Sequence, residues 1–375
     1  MPANTLFNWS GGELDLVRFP LPRDFSLQAF STADAYMLDH AAEHQADSTV
    51  PWVVNDAFGA LSLALHGKNP HWVGGSWSAR RAMELNAEQN NLTPVPSIWL
   101  DDADWPANPG FIMIAVPKEL DLLEYQLALI SKHAPTGVPV IGGGMTRNIH
   151  TSTIQIFEKY LGDVASSLAW KKARLITGVT DGDKSALSPA AATYSDDKSG
   201  AAIVSMPGVF SGDHPDPGSS LLANALPPID IETNVLDLGC GNGYLLAHAA
   251  KRNPSLKLFG CDDSRMAVNS TQMTLEANGF EGDIRHGHAT ADFEPASMDV
   301  VLCNPPFHQG HARHDQIAWD MFTGAKRVLK PGGTMFVVGN RNLGYHIQLS
   351  RIFRKVDIQA SDTTYTVFRC QKATY

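Results

Sequence analysis

Short apolar runs alternate with longer amphipathic stretches along most of the chain, the pattern of strands and helices taken in turn. Runs at 15–18 and 50–54 predict strands, with a helix over 32–44 between them capped by Ser31 or Thr32. Strands follow around 71–74, 96–100, 111–116, 138–142 and 165–170, separated by helices over 76–91, 119–133 and 151–160. Residues 178–205 carry Ala, Ser, Asp, Gly and Thr with little periodicity, which predicts an irregular linker with one strand near 202–206. The alternation then resumes. A helix over 219–226 leads to a strand ending at 238, a helix over 244–251, a strand at 256–261, a helix over 265–278 and strands at 283–286 and 298–303. A helix over 316–329, a strand at 334–338, a further element at 347–353 and a last strand near 364–369 complete the pattern. Such alternation predicts an α/β fold with parallel sheets.

Residues 53–61 echo 236–244. Aligned through one shared glycine, Gly59 with Gly241, the two halves form an internal repeat of about 180 residues. In that alignment Ala57 and Leu61 replace the other two glycines, and their side chains would stand where a ligand must come close to backbone. The expected organisation is a degenerate domain at 1–180, with a substrate-binding or structural role, a linker at 181–205 and a catalytic domain at 206–375.

At 375 residues, with 43 % hydrophobic and 18 % charged residues, the chain suits two soluble domains. No apolar run is long enough to cross a bilayer, and residues 1–15 lack the basic flank and apolar stretch of a signal peptide. A cytoplasmic location is expected, with no membrane partner. The four cysteines form no CxxC pair and are expected to be buried thiols; His308, His311 and His314 follow a proline turn without partner cysteines, so no metal site is expected.

The net charge of −10 disfavours nucleic acid as a partner when taken as a sum. Its distribution matters more than its sum. Residues 1–199 carry 14 basic against 22 acidic groups and 200–375 carry 15 against 17, while 326–355 holds seven basic residues and no acidic one. That stretch is either a solvated helix face with a turn or a basic surface close to Asn304, in which Arg341, Arg351, Arg354 and Lys355 are the candidate phosphate contacts.

The candidate chemistry lies at two strand ends. Val235-Leu236-Asp237-Leu238-Gly239-Cys240-Gly241-Asn242-Gly243 reads as a strand entering a glycine turn ahead of a helix, a shape that brings backbone against a nucleoside cofactor. Alone it fits a nicotinamide or flavin site as well as one for S-adenosylmethionine (AdoMet). Asp262, some twenty residues on, is placed to accept from ribose hydroxyls. Asn304-Pro305-Pro306-Phe307 follows the 298–303 strand; alone it could be a rigid turn, since each proline fixes one φ.

Together, in this order and spacing, the two stretches resemble class I AdoMet-dependent methyltransferases that act on nitrogen. With Pro207-Gly208-Val209-Phe210-Ser211 ahead of them and Gly339-Asn340-Arg341 behind, the chain resembles the bacterial ribosomal RNA guanine-N2 methyltransferases of the RsmC/RlmG group. Residues 16–20 and 168–175 make it most like the large-subunit (23S rRNA) RlmG branch. The resemblance implies two tandem class I (Rossmann-like) methyltransferase domains, the N-terminal one degenerate, with AdoMet as cofactor and a guanine of ribosomal RNA as substrate. Gly239, Gly241 and Gly243 would pass under the methionine and ribose and Asp262 would hold the ribose, with Asp237, His288 near the adenine and Phe210 on a covering loop completing the cofactor-binding set. His288 stands where relatives carry an amide, and Gly212 where a basic residue often follows Phe-Ser. Asn304 and the Pro305 carbonyl would accept from the reacting amine, Pro306 would stiffen the loop, and Phe307 would stack on the flipped base. The alternatives are a 16S rRNA enzyme, a protein glutamine N5-methyltransferase, a DNA adenine-N6 enzyme, or a noncatalytic RNA-binding assembly factor.

Overall fold

The computed structural model describes residues 4–21, 26–44, 50–182, 189–229, 232–306 and 312–374; side chains of 312–315 are not described. The chain divides into two compact units, Met1–Ala190 and Ala191–Tyr375.

The first unit opens with a hairpin, β1 (Leu6–Trp9) and β2 (Gly12–Asp15). It continues through α1 (Thr32–His44), β3 (Pro51–Val54), α2 (Ala60–Ala64), β4 (His71–Gly74), α3 (Trp77–Gln89), β5 (Ser97–Trp99) and β6 (Phe111–Ala115). Then come α4 (Leu120–His133), β7 (Pro139–Met145), α5 (Thr151–Leu161), β8 (Ala165–Ser166) and β9 (Ala173–Val179). The second unit also opens with a hairpin, β10 (Ala192–Ser195) and β11 (Ala202–Ser205), so the expected linker is in part a folded element of this unit. It runs on through α6 (Pro217–Ala225), β12 (Asn234–Leu238), α7 (Tyr244–Arg252), β13 (Lys257–Asp262), α8 (Arg265–Ala277), β14 (Gly282–His286) and β15 (Met298–Cys303). It closes with α9 (Ala312–Val328), β16 (Leu329–Asn340), α10 (Tyr345–Ile352), β17 (Lys355–Ser361) and β18 (Tyr365–Gln371).

Each unit holds a seven-stranded sheet, ordered β5-β4-β3-β6-β7-β9-β8 in the first and β14-β13-β12-β15-β16-β18-β17 in the second. The orders are the same when matched strand for strand. In each sheet six strands run in one direction, and only β9 in the first and β18 in the second runs opposite, each paired antiparallel with both of its neighbours. The chain is thus two tandem class I (Rossmann-like) methyltransferase folds. Central strands are apolar on both faces because helices cover both: Val53, Val54, Ile112 and Met113 in one sheet, and Val235, Leu236, Val301 and Leu302 in the other, are inaccessible to solvent. β17 is an edge strand, mostly exposed: Val356, Ile358 and Ala360 alternate with polar residues, but the run is short and no strand was assigned to it from the sequence.

The duplication extends to the hairpins. In the first unit Asn90, ending α3, accepts the Asp15 N–H (2.9 Å) and donates to the carbonyls of Asp15 (2.8 Å) and Asn86 (2.7 Å). In the second Asn278, ending α8, accepts the Ala202 N–H (3.0 Å) and donates to the carbonyls of Ala202 (2.7 Å) and Thr274 (2.7 Å). One side chain in each unit caps a helix and clamps a hairpin to it.

The shared turn glycine needs a correction. Gly59 starts α2 at φ 86°, and a Cβ on it would lie 3.1 Å from Met83 Cα on α3; Gly243 starts α7 at φ 78°, and a Cβ there would lie 3.1 Å from Thr271 Cα on α8. Gly59 therefore matches Gly243, not Gly241. Asn55, at φ 63°, stands where Gly239 has φ 79°, and Ala57 where Gly241 is. In the same register Ile114 and Cys303 lie level with Val54 and Leu238, which puts Ala115 at the place of Asn304.

Replacing Asn278 by Ala should lower the stability of the second unit by about 1–3 kcal/mol, since it strips a helix cap and two hairpin bonds, and Asn90→Ala should do the same to the first. Chemical denaturation followed by intrinsic fluorescence checks this. Unchanged midpoints in both would mean that the hairpins hold by packing alone.

Candidate active site

β12 stops at Leu238 because the next residues turn left-handed. The N–H groups of Gly239 (2.9 Å) and Cys240 (3.1 Å) both donate to the Cys261 carbonyl on β13, pinning the turn to the neighbouring strand. Gly241 follows at φ 55°, and a Cβ on it would meet nothing within 4 Å, so this glycine faces open space. Its N–H donates to Asp262 Oδ2 (3.0 Å), while Oδ1 accepts the Ser264 N–H (2.8 Å) at the start of α8. Removal from water raises the Asp262 carboxyl to about 6, against the lowering effect of those two bonds.

Asp237 differs. It is 1 % exposed, sealed beneath the turn, with Oδ1 unpartnered, and burial followed by the charge of Asp262 pushes its carboxyl well above the usual range. So buried, it presents almost no surface to a cofactor, unlike the contact expected of it. The four cysteines are buried free thiols.

Asn242, in the same turn, is a residue to which the sequence assigned no role. Its amide donates to Ser205 Oγ (3.1 Å) and to the Ser211 carbonyl (3.0 Å), tying the segment after β11 to the start of α7. That segment carries Phe210, whose side chain is 67 % exposed. His288, two residues beyond β14, lies with Nε2 3.8 Å from Asp320 Oδ2 on α9.

Asn304 follows β15 directly. Its Nδ2 donates to Asp216 Oδ2 (2.9 Å) and Ser219 Oγ (2.7 Å), while Oδ1 is buried and has no hydrogen-bond partner among the described residues. Pro305 is buried and Pro306 exposed. Phe307, His308 and His311 lie outside the described residues. Among the described residues no group of three His, Cys, Asp or Glu side chains could hold a metal, and no helix is long and apolar enough to cross a membrane.

Strand register shows which predicted residues share this place. Leu238 lies level with Cys261 and Cys303, and Asp262 with His286, so the turn, Asp262, His288 and Asn304 gather at the carboxyl edge of one sheet. Arg341, just after β16, shares that edge and donates to the Asp362 carbonyl (2.9 Å). Arg354 and Lys355 do not. Lys355 pairs with Gln371, which pairs with Thr334, whereas the carboxyl edge is at Asn340 and Tyr365. Six register steps put them about 20 Å from it, at the amino edge, where they line a cleft of about 360 Å³ with Lys372. Arg351, in the last turn of α10, lies on the run back toward that edge. The expectation that these three cations sit beside Asn304 is therefore corrected: the chain reverses after Asn340 and carries them away.

The residues present fit AdoMet. A left-handed turn with open space beside Gly241 lets a ligand lie on backbone, and Asp262 keeps lone pairs for ribose hydroxyls.

Residues 4–182 match the family described as the RLMG N-terminal domain, and 200–369 the one described as the methyltransferase small domain. Among solved structures, a T. thermophilus 16S rRNA N2 methyltransferase (RsmC) in complex with AdoMet and guanosine superimposes with a TM-score of 0.79 at 22 % identity, covering 98 % of this chain and 97 % of that one. Curated proteins named ribosomal RNA large subunit methyltransferase G, from Shewanella sp. (strain MR-4) and Shewanella oneidensis, are each 37 % identical over 98 % of this chain and 100 % of their own length. Matched end to end at that identity, the chain belongs to the ribosomal RNA large subunit methyltransferase G family.

Proposed function

We propose that this protein is a cytoplasmic AdoMet-dependent methyltransferase of 23S ribosomal RNA. It methylates the exocyclic N2 of a guanine, yielding N2-methylguanosine and S-adenosylhomocysteine. The observation that carries this reading is the orphaned Oδ1 of Asn304, a buried acceptor beside the glycine turn. The names of the curated relatives point to large-subunit RNA, and the solved relative's title pairs AdoMet with guanosine.

The second unit does the chemistry. Gly239 and Gly241 would hold the methionine and ribose, Asp262 would accept from the ribose, His288 would flank the adenine and Phe210 would ride on the covering segment. AdoMet would supply an electrophilic methyl to the guanine nitrogen and leave as S-adenosylhomocysteine, while the amine gives up one proton to solvent. The difficulty lies in the nitrogen, whose lone pair is delocalised into the base. Asn304 Oδ1 accepts one N–H and the Pro305 carbonyl the other, which favours the pyramidal, nucleophilic form. Pro305 and Pro306 stiffen that loop, and Phe307, next in sequence, stacks on a base taken out of its helix. The first unit is degenerate: Asp56 turns its carboxylate onto the N–H groups of Gly59, Leu61 and Ser62, so that the start of α2 is capped from within. Its role is to bind substrate or to support the catalytic unit.

Transfer of tritiated methyl from AdoMet to purified rRNA and to ribosomal subunits, with the labelled nucleoside identified, tests the proposal; label in any nucleoside but N2-methylguanosine removes it. Asn304→Ala should lower kcat about a hundredfold or more while leaving the AdoMet Kd unchanged. A calorimetric titration of the same full-length variant should return one AdoMet site per chain.

The Asp262 carboxyl gives a pH dependence. Its raised value favours the neutral form in the free protein, whereas ribose hydroxyls donate best to the ionised form. AdoMet affinity should therefore rise with pH through about 6 and fall by up to about tenfold per unit below it. Calorimetry between about pH 5 and 8 reads this, with Asp262→Asn as the control that should be flat. For stability the sign is opposite. The carboxyl's contribution is complete below the ordinary carboxylate range near 4 and is lost as pH rises through about 6.

Arg341 would meet phosphate near the target base, and Arg351, Arg354 and Lys355 would meet it farther along the RNA. Arg354→Ala with Lys355→Ala should flatten the slope of log K against log salt by about 0.7 for each single-strand phosphate no longer neutralised, raise the RNA KM and leave AdoMet binding alone. An unchanged slope would mean that RNA does not reach the amino edge.

A further inference from the structure

The amide of Asn304 is nearly symmetric in shape, so the side chain alone does not decide whether oxygen or NH2 faces the pocket. That decision is made 88 residues away, by α6. Asp216 caps this helix, its Oδ2 accepting the Ser219 N–H at 2.7 Å, with Pro217 in the first helical position. The same oxygen lies 2.9 Å from Asn304 Nδ2, and Ser219 Oγ lies 2.7 Å from it. A carboxylate oxygen has no hydrogen to give. If the amide turned over, its oxygen would face that carboxylate, acceptor against acceptor, and the Coulomb repulsion would be little screened, since Asp216 is only 7 % and Ser219 only 9 % exposed.

The bracket is itself held firmly. Leu222 and Ala223, one turn further along α6, are inaccessible to solvent and pack in the core that contains Phe336, Val338 and Val367. Sheet packing therefore sets the helix, the helix cap sets Asp216 and Ser219, and they set the amide. Both N–H bonds of Asn304 are spent on the helix, and Oδ1 is left buried without a donor.

We infer that Asp216 and Ser219 are positioning residues for methyl transfer, locking the Asn304 amide so that its oxygen faces the substrate and selects an amine bearing N–H donors. The inference rests on the function proposed above. Neither residue touches the substrate. A turned amide would offer hydrogens to a nitrogen that carries hydrogens of its own, which opposes binding of the reactive amine and favours a carbonyl or ring nitrogen in its place.

The test frees the amide without removing the helix cap. In Asp216→Gly with Ser219→Ala, glycine remains a tolerated cap while both acceptors of the amide N–H groups are gone, so both amide orientations become possible. We expect kcat to fall about tenfold or more, with AdoMet Kd and RNA KM within about twofold of wild type. A second pair uses the opposite logic. Asn304→Asp alone sets two carboxylates against each other, whereas adding Asp216→Gly removes the opposing charge, lets the Ser219 hydroxyl donate to the new carboxylate and leaves its other oxygen to accept from the substrate. The double variant should exceed Asn304→Asp in kcat by about tenfold or more, an effect that a cap serving only stability would not produce. AdoMet calorimetry on each full-length variant verifies that the site is folded. Wild-type kcat in the Asp216→Gly, Ser219→Ala protein, or no gain of the double variant over Asn304→Asp, would overturn the inference while an inactive Asn304→Ala leaves the function standing. An active Asn304→Ala would remove both.

Discussion

The Cys261 carbonyl accepts the N–H groups of Gly239 and Cys240 together, and that forked bond decides where β12 ends and which way the chain then turns. From it follow the left-handed path through Gly239, Gly241 and Gly243, the approach of Gly241 to Asp262, and the start of α7 against α8. Because β12 is paired with β15 in the same register, the turn also fixes the level at which Asn304 leaves the sheet. Cofactor cradle and acceptor amide are thus two consequences of one register.

The first unit keeps the constraint and loses the use. The Asn55 N–H donates to the Val73 carbonyl at 2.9 Å, as Gly239 does to Cys261, and Gly59 admits Met83 of α3 as Gly243 admits Thr271 of α8. What survives is the glycine required by helix packing, where a Cβ would strike backbone. What is gone is the glycine beside open space, replaced by Ala57, and the acid at the end of the second strand, where Gly74 and Gly75 stand in place of Asp262 and Asp263. Packing constraints persist because the fold fails without them, whereas a cradle with nothing to hold carries no such cost.

An acidic chain that acts on RNA must concentrate what positive charge it has. The basic stretch at 326–355 does so along the sequence, but the strands distribute it over both edges of the second sheet. Arg341 stays with the reacting edge, and Arg354, Lys355 and Lys372 gather about a cleft at the other. Several neighbouring cations are engaged locally, Lys330 with Asp299 (2.8 Å) and Lys355 with Asp357 (3.4 Å), so formal charge overstates the field they provide.

The alternation of strands and helices, the glycine turn, the acid twenty residues later and the Asn-Pro-Pro loop were all legible in the chain itself. Each depends on neighbours within a few residues: apolar periodicity, a turn that needs positive φ, prolines that fix their own φ. The duplication was legible too, but its register was not. One shared glycine cannot say which of three positions it occupies until helix α3 is seen against it. The hairpins before each sheet, the exposed edge strand β17 and the separation of Arg354 and Lys355 from Asn304 were likewise decided by tertiary pairing. So was the partnership of Asp216 with Asn304. The Asp-Pro start of α6 is visible as a helix cap, but that its spare lone pair faces an amide 88 residues on depends on how α6 packs across the sheet, which no local pattern encodes.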